Sequence, residues 1–356
     1  MKKEKIKLSN YGFNILQIET TAACNMSCSF CPYSLKNDKT SKLSIENIYS
    51  IIDQIDIGDD KFKYLTFSQF NEPLLDNRIF DISKYAIDKN FKVMMITNGL
   101  LLNKEKNIKN LIDLKADIKI SLQVLDDMKH KNARGLNLEL EKYVNTIVRF
   151  CEKAKDKDLN ITIDVGCNFN DNKLIYFLKL LLGIQTGDPS VPLDLKSTTL
   201  QLKKYVDLFY NIAENDYKKN IYKLTNMYEA QNNFTKFYKK QTGFKIARNI
   251  TLKFKPFFYG KSINDFYARD DNFKCNSQIL SVQADGNIVP CCLAYDDSIS
   301  MGKVEENSLK SILDESILLK NLRKVGGEKH ETCKKCFGEP TKRGVKFKQL
   351  YSSLFH

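Results

Sequence analysis

The sequence predicts an α/β fold built on a parallel sheet. Short apolar runs, typical of strands, alternate with longer segments in which apolar residues recur every three or four positions, as on one face of a helix. The segments between consecutive strands are long enough to hold a helix, which favours right-handed crossovers between parallel strands. In such folds the loops after the carboxyl ends of the strands carry the active site.

The predicted elements follow one another in a regular order. A strand at Phe13–Ile18 comes first, and a helix within Ser41–Ile57 follows, where the apolar residues have helical spacing. A sixth strand is expected near Ile250–Phe258, after a polar block. The elements between are expected at Tyr64–Phe67, Arg78–Lys89, Lys92–Ile96, Lys104–Leu114, Asp117–Leu122, Leu138–Ala154 and Asn160–Val165.

Three cysteines lie on one short loop directly after the first strand. Cys24, Cys28 and Cys31 have CxxxCxxC spacing, and a random placement of the 10 cysteines gives such a triplet with an expectation of only about 0.008. Three thiolates on a four-iron cluster leave one iron open, whereas a closed structural site needs four ligands. The loop therefore predicts a metal centre with chemistry at the metal. A zinc loop that takes a ligand from elsewhere is the alternative.

This loop resembles the signature of the radical S-adenosylmethionine (radical SAM) enzymes, CxxxCxΦC, with Phe30 at the aromatic position. The resemblance implies a partial (β/α)6 barrel of the radical SAM type, with a [4Fe-4S] cluster after its first strand. It also implies that the open iron binds the amino and carboxylate groups of SAM. One electron then cleaves SAM to a 5′-deoxyadenosyl radical, which abstracts a hydrogen atom from the substrate.

The same resemblance assigns SAM contacts to the ends of the later strands. The segment Phe67–Leu75 is similar to the GGEP motif, although Phe70 and Asn71 replace the glycines. Its carboxylate, Glu72, is expected to accept a hydrogen bond from the SAM ammonium. Each position, taken singly, is more typical of an ordinary turn or core residue, and it is their joint placement at successive strand ends that favours SAM contacts. The predicted cofactor-binding residues are Phe30, Glu72, Pro73, Asn98, Ser121 and Val165.

Four further cysteines form a second group around a predicted Asp-Gly hairpin, Gln283–Cys291, and a helix near Leu309–Leu322. The arrangement resembles the SPASM and twitch extensions of radical SAM enzymes. The shorter twitch form, a small β-hairpin/helix domain with one fully ligated auxiliary [4Fe-4S] cluster, is the closer match. Cys292 leaves an ambiguity, because adjacent residues of an extended hairpin point in opposite directions. Zinc is the alternative metal here. The predicted ligands are Cys275, Cys291, Cys333 and Cys336.

These features divide the chain into five predicted segments. A radical SAM barrel at 1–185 is followed by a polar helical insertion at 186–249, a last barrel strand with its connection at 250–272, a twitch-like cluster domain at 273–337 and a basic tail at 338–356. The insertion either caps the barrel mouth or is a surface addition with its own minor core. The tail is expected to pack back as a helix.

Composition narrows the partners and the location. The net charge is +13, but the lysines are dispersed without an arginine- and aromatic-rich stripe, so nucleic acid is not expected as a partner. A basic surface suits an acidic electron donor such as a flavodoxin or ferredoxin. There is no signal-peptide pattern and no apolar run of membrane-spanning length. Low-potential clusters also need a reducing compartment, so we expect a cytoplasmic protein without disulfides or membrane partners.

Three functions follow from these observations. The leading hypothesis is a radical SAM oxidoreductase that abstracts hydrogen from a small hydroxylated substrate, sugar or cyclitol-like, with the auxiliary cluster for electron transfer. A SPASM-type peptide-modifying maturase is second, and is less favoured because little chain precedes the barrel to hold a leader-binding domain. The third is a zinc-bound nucleic-acid-binding protein. Catalytic candidates after the fourth strand are Asp126, Asp127 and Arg134, and the three histidines are expected at the surface.

Overall fold

A computed structural model describes residues 5–123, 125–167, 181–182, 200–219, 221, 243–256, 262–295 and 297–355, without the side chains of 167, 254, 256, 262, 263 and 351–355. The described strands form a ten-stranded sheet in the order β10-β9-β8-β1-β2-β3-β4-β5-β7-β6. They are β1 Ile15–Ile18, β2 Tyr64–Thr66, β3 Val93–Thr97, β4 Asp117–Gln123, β5 Ile161–Cys167, β6 Phe244–Ala247, β7 Ile250–Pro256, β8 Ile279–Val282, β9 Asn287–Val289 and β10 Gly302–Lys303.

Five helices connect the first strands and pack against the sheet. They are α1 Ile45–Gln54, α2 Ile79–Asp88, α3 Glu105–Leu114, α4 Asp127–Arg134 and α5 Leu140–Ala154. Later helices span Val206–Ile212, Leu309–Glu315, Ile317–Leu322, Glu331–Cys336 and Lys342–Phe355. None of the helices in the described ranges is long and apolar enough to cross a membrane.

The six strands β1, β2, β3, β4, β5 and β7 pair in parallel, as a partial (β/α)6 barrel requires. The register aligns Leu16 with Leu65 in the first pair. At the other edge of β1, β8 also pairs in parallel, with Leu16 opposite Leu280. The β8–β9 hairpin of the predicted cluster domain therefore continues the barrel sheet. The α/β fold class is confirmed, while the five domain boundaries stay predictions.

The first helix shows how the sequence fixes these elements. Ser44 caps α1 by accepting a hydrogen bond from the Asn47 amide at 3.1 Å. On the face towards the sheet, Ile48, Ile51 and Ile52 are at most 1% exposed. Burial of such an isoleucine stabilises the fold by about 1.5–3 kcal/mol. The helical spacing of the three isoleucines therefore determines which face of α1 packs against the sheet.

Two helical regions differ from the sequence prediction. The expected helix near Leu309–Leu322 is interrupted at Ser316, whose backbone is extended and whose hydroxyl accepts from the Leu319 amide at 3.1 Å, so that a second helix starts there. α4 was not predicted, because it is polar and has no apolar stripe. Of the polar insertion, residues 186–199, 220 and 222–242 lie outside the described ranges, whereas Val206–Ile212 is helical.

Candidate active site

The cysteine loop follows β1 directly and lies against the carboxyl end of α4. The Ser27 amide donates to the Arg134 carbonyl oxygen at 3.2 Å, and the Ser29 amide to that of Ala133 at 2.9 Å. Gly135 follows α4 with a φ of 66°, and a Cβ there would lie 2.5 Å from the Ser27 carbonyl oxygen. Glycine is therefore required where the loop touches the helix. These contacts fix the backbone that carries the three cysteines.

Cys24, Cys28 and Cys31 are close enough to affect one another. Cys28 is buried, and the other two are half-buried. Burial raises the pKa of Cys24 and of Cys31 to about 12, and the charge of neighbouring thiolates adds to both rises. The Cys31 sulfur accepts a hydrogen bond from the Tyr33 amide at 3.5 Å. Since metals bind the thiolate form, ligation of these thiols must release protons.

The donor set of this loop fits an iron–sulfur cluster. Three thiolates without a carboxylate or imidazole are the soft ligands that such clusters take. Among the residues that the structure describes, no three His, Cys, Asp or Glu side chains lie close enough together to ligate a single metal ion. A four-iron cluster takes each thiolate on a different iron.

Arg134, a catalytic candidate from the sequence, lies against this loop. Its side chain is buried, with the residue 2% exposed, and its Nη1 donates to the Cys28 sulfur at 3.7 Å. Its Nη2 donates to the carbonyl oxygens of Leu122, at 3.1 Å, and Ser121. A guanidinium beside a thiolate stabilises the negative charge of the sulfur. The position of Arg134 thus joins the end of β4 to the cysteine loop.

We expect Arg134→Met to lower the reduction potential of the cluster on this loop. Hydrogen bonds and positive charge at the sulfurs favour the reduced cluster, so their loss should shift the midpoint by about 60 mV, the equivalent of about 1.4 kcal/mol for one electron. A redox titration followed by electron paramagnetic resonance measures this shift. The auxiliary cluster of the same sample is the internal control, and an equal shift there would contradict a local effect.

The other two catalytic candidates lie at the start of α4. Asp126 accepts a hydrogen bond from the Lys129 amide at 2.9 Å and caps the helix. Asp127 is exposed in the first turn. A catalytic role for Asp126, Asp127 and Arg134 stays a prediction.

Glu72 is buried between the ends of β2 and β3. Its Oε1 accepts from the Thr97 hydroxyl at 2.8 Å and the Leu74 amide at 3.1 Å, and its Oε2 accepts from the Asn98 amide at 2.7 Å. Burial raises the pKa of Glu72 to about 7, although these hydrogen bonds act in the opposite direction. The carboxyl group ties the two strand ends together, and its contact with SAM stays a prediction.

Side chains replace the two glycines of the family motif at Phe70 and Asn71. The Asn71 Oδ1 accepts from the Gln69 amide at 2.8 Å, and its Nδ2 donates to the Phe67 carbonyl oxygen at 3.1 Å. Phe70 is 7% exposed and packs into the interior. The asparagine therefore closes this turn with its own amide group, as Asn side chains do in loops.

The remaining predicted SAM contacts are distributed around the loop. Phe30 is half-buried on the loop itself, and Pro73 is buried directly after the Glu72 carboxylate. The Asn98 side chain donates to Asn25 Oδ1 at 2.7 Å, which links the end of β3 to the cysteine loop. Their contacts with SAM stay predictions.

Ser121 and Val165 lie on opposite faces of the sheet. Ser121 is half-buried, on the face away from the helices, beside a register shift where Gln123 has a φ of 65°. Val165 is 0% exposed and belongs to the hydrophobic core. Its contact with SAM stays a prediction. The neighbouring position, Asp164, lies on the same face as Ser121.

Glu19 is a site residue that the sequence analysis missed. It follows β1, is 0% exposed, and forms an ion pair with Lys36 at 2.6 Å. Its carboxylate also accepts from the amides of Phe70, at 3.4 Å, and Ala284, at 3.3 Å. Glu19 thus connects the cysteine loop, the motif after β2 and the β8–β9 hairpin. A charged residue directly after an apolar strand was the available signal, but its partners are distant in sequence.

His130 corrects the expectation that all three histidines lie at the surface. It is 0% exposed in α4, and its ring centroid lies 5.2 Å from that of Tyr143 in α5. His330 is half-buried, and its Nδ1 accepts from the Thr332 amide at 3.3 Å at the start of the helix that carries Cys333 and Cys336. The side chain of His356 lies outside the described residues.

The second cysteine group is also brought together. Burial raises the pKa of Cys333 and of Cys336 to about 12, and the thiolates of Cys275 and Cys291 add to both rises. Cys291 and Cys333 pack against the same small cluster of buried residues near β9. Four thiolates in one region are enough to ligate all four irons of a [4Fe-4S] cluster.

Cys292 lies close to this group, so the ambiguity about the ligand from the hairpin persists. Burial raises the pKa of Cys292 to about 12, and the negative charges of the Cys291, Cys336 and Cys275 thiolates add to this rise. Burial also raises the pKa of Tyr64 in β2, and the charge of the Cys292 thiolate adds to that rise. The shared packing of Cys291 with Cys333 favours Cys291 as the ligand.

Comparison with known families agrees with this geometry. The family description "Radical SAM superfamily" matches residues 18–181, and "Iron-sulfur cluster-binding domain", of the SPASM type, matches residues 275–337. The chain belongs to the radical SAM superfamily. This radical SAM protein therefore uses SAM, a SAM-site [4Fe-4S] cluster and an auxiliary [4Fe-4S] cluster, and the zinc alternative is set aside.

Relatives share the fold with this radical SAM protein over part of their length. An uncharacterized protein of Methanocaldococcus jannaschii is 33% identical over 46% of this chain and 52% of its own. A probable GTP 3′,8-cyclase of Methanococcus maripaludis is 31% identical over 36% of this chain and 44% of its own. The chain thus spans about half or less of these relatives. SuiB of Streptococcus suis bound to precursor peptide SuiA has a TM-score of 0.52 and 14% identity, over 89% of this chain and 69% of SuiB, which shows the fold alone.

Proposed function

We propose that the chain is a radical SAM oxidoreductase that acts on a small hydroxylated substrate, a sugar or cyclitol-like molecule. When bound, the SAM-site cluster would supply the one electron that cleaves SAM, and the 5′-deoxyadenosyl radical from SAM would take a hydrogen atom from a carbinol carbon of the substrate. The substrate would then lose its hydroxyl proton and one electron, and the auxiliary cluster would accept that electron. The products are a ketone, methionine, 5′-deoxyadenosine and one proton, and the electron count balances.

Each part of this proposal is assigned to residues of this chain. Cys24, Cys28 and Cys31 would hold the SAM-site cluster, while Arg134 keeps their loop against β4. SAM would lie against the strand ends that carry Phe30, Glu72, Pro73, Asn98, Ser121 and Val165. The auxiliary cluster would be held by Cys275, Cys291, Cys333 and Cys336.

The observation that carries the substrate class is the polar inner face of the sheet beside the cysteine loop. The Ser281 hydroxyl of β8 donates to Gln17 Oε1 of β1 at 2.7 Å, and Gln17 in turn donates to the Ser68 carbonyl oxygen after β2. The Ser68 hydroxyl donates to the Ile96 carbonyl oxygen of β3 at 2.5 Å. This chain of hydrogen-bonding groups supports a small polar substrate with several hydroxyls.

The proposal also includes the electron donor of the protein and its location in the cell. We infer that an acidic flavodoxin or ferredoxin reduces the protein in the cytoplasm. The net charge of +13 supports this inference, because opposite charge accelerates association between an electron donor and its acceptor.

Substrate-dependent SAM cleavage tests the proposed function. The reconstituted protein, with SAM and dithionite, is incubated with a panel of sugars and cyclitols deuterated at the carbinol carbons, and in parallel with a panel of cysteine-containing peptides. We expect faster 5′-deoxyadenosine formation, with deuterium in the 5′-deoxyadenosine, from a member of the first panel. Deuterium-free acceleration by a peptide alone would favour the maturase alternative and contradict the proposal.

We expect Glu72→Gln to weaken SAM binding by at least tenfold with both clusters assembled. Glu72 is a carboxylate in a water-poor site, and loss of a charged acceptor next to a bound ammonium typically costs about 2–5 kcal/mol. Isothermal titration of SAM into the anaerobic, iron-replete variant gives the affinity.

Thr97→Val is the matched control for this change. It removes one hydrogen bond to Glu72 and keeps the carboxyl group, which a bound ammonium would hold in its charged form, so SAM affinity should stay within a few-fold of wild type. An equal loss in both variants would assign Glu72 to holding β3 in place rather than to contacting SAM.

A further inference from the structure

Three strands of the barrel carry an unusual group of charges on the face away from the helices. On β4, Ile118 and Ile120 are buried in the core, so the alternating residue Lys119 lies on the opposite face. The same alternation places Asp164 of β5 and Lys253 of β7 there. Asp164 pairs in register with both Ser121 and Lys253, so one layer of the barrel crosses all three strands.

The charges on this face, which include Lys119 and Lys255 in the layers on either side, do not cancel. Lys255, also on β7, forms an ion pair with Asp164 at 2.7 Å. Among the described residues, the ammonium groups of Lys119 and Lys253 have no ion-pair or hydrogen-bond partner. Three lysines therefore face one carboxylate, an excess of two positive charges. Burial lowers the pKa of Lys119, and the charges of Lys255 and Lys253 lower it further, while that of Asp164 raises it.

Only one of the two oxygens of the Asp164 carboxylate has a partner among the described residues. Asp164 is 2% exposed, and its Oδ1 has no hydrogen-bond partner among the described residues, although its Oδ2 binds Lys255. A buried oxygen without a donor costs about 1–3 kcal/mol. Cations held close together without an anion also repel one another. Such costs are typical of sites that a ligand completes.

We propose that Lys119 and Lys253 bind an anionic group, a phosphate or carboxylate, of the substrate inside the barrel. The free Asp164 Oδ1 lies on the same face, in the layer of Lys253, and would accept a hydrogen bond from a substrate hydroxyl. The substrate is then a small hydroxylated anion, such as a sugar phosphate or sugar acid. This inference rests on the proposed function and narrows it, because a neutral cyclitol leaves both ammonium groups without a partner.

Anion binding to the iron-replete protein with SAM tests this subsite. Inorganic phosphate and acetate are the two probes, titrated calorimetrically and by the rise in melting temperature that a ligand causes. We expect one of them to bind the wild type, and Lys119→Met/Lys253→Met to weaken that binding at least tenfold. Phosphate binding without acetate binding indicates a phosphorylated substrate, and the reverse indicates a sugar acid.

The control removes two lysines from the surface. Lys245 and Lys303 are exposed on the edge strands β6 and β10, so Lys245→Met/Lys303→Met loses the same net charge and should bind both probes as the wild type does. In probe-free buffer we expect the melting temperature to rise in Lys119→Met/Lys253→Met, because two crowded cations are gone, and to stay unchanged in the control.

Three results would overturn the proposal. They are the absence of binding of both probes to the wild type, equal binding to the wild type and to Lys119→Met/Lys253→Met, and a loss of SAM affinity in that variant, which would place the two lysines in the SAM site. Failure of the proposed function is a separate result. If SAM is never cleaved but the anion affinity depends on Lys119 and Lys253, the subsite stands and the radical reaction does not.

Discussion

Changing Cys24, Cys28 and Cys31 together to alanine should lower the iron content from about eight to about four per chain and abolish SAM cleavage. The three thiols lie on one loop, and the second cysteine group begins only at Cys275 in the sequence. Iron and sulfide analysis, with 5′-deoxyadenosine measured in the same samples, gives both numbers.

Cys151→Ala is the matched control for the triple variant. Cys151 is a free cysteine, 0% exposed in α5 and outside both groups, so its loss should leave about eight irons and full SAM cleavage. A triple variant that retains about eight irons would show that other residues hold this cluster. A wild type that never exceeds about four irons after reconstitution would contradict the presence of two clusters.

Cys336→Ala should also lose about four irons, yet it should still cleave SAM in the absence of substrate. The auxiliary cluster has four protein ligands and leaves no iron open for SAM. Product formation should stop, because the substrate then has no acceptor for its second electron. Since metal binding can be coupled to folding, circular dichroism has to show that the variant is folded before the result is interpreted.

A pair of variants in the hairpin sharpens this test. Cys291→Ala should behave as Cys336→Ala does, since Cys291 packs with Cys333 against the same buried residues. Cys292→Ala should retain about eight irons. If Cys292→Ala instead lost about four irons and Cys291→Ala retained about eight, Cys292 rather than Cys291 would be the cluster ligand. Loss of SAM cleavage in a folded Cys336→Ala protein would show that the two clusters do not act separately.

The parallel barrel could be predicted from the sequence because its signals are local. Alternating apolar residues such as Ile118 and Ile120, and the helical spacing of Ile48, Ile51 and Ile52, depend only on neighbouring positions. The motif of Cys24, Cys28 and Cys31 is likewise a short-range pattern. In contrast, α4 has no apolar stripe, and it is held against the cysteine loop by backbone hydrogen bonds and by the Arg134 side chain, which local patterns do not reveal.

The contacts that organise the site depend on residues far apart in the chain. The Glu19 carboxylate accepts a hydrogen bond from the Ala284 amide because β8 pairs with β1, a pairing that local patterns do not encode. The contact of Arg134 with Cys28 likewise joins residues 106 positions apart in the chain. The alternation of polar and apolar residues in β4 was visible, but which face lines the barrel follows only from the packing of the helices.

The central claim, that this chain generates a radical from SAM, is tested most directly by the products of one reaction. Anaerobically reconstituted wild-type protein is mixed with SAM and dithionite, without substrate, and the products are separated by liquid chromatography with mass detection. The account predicts slow formation of 5′-deoxyadenosine and methionine in equal amounts, from protein that carries about eight irons. Protein with the full iron content that leaves SAM intact would contradict it.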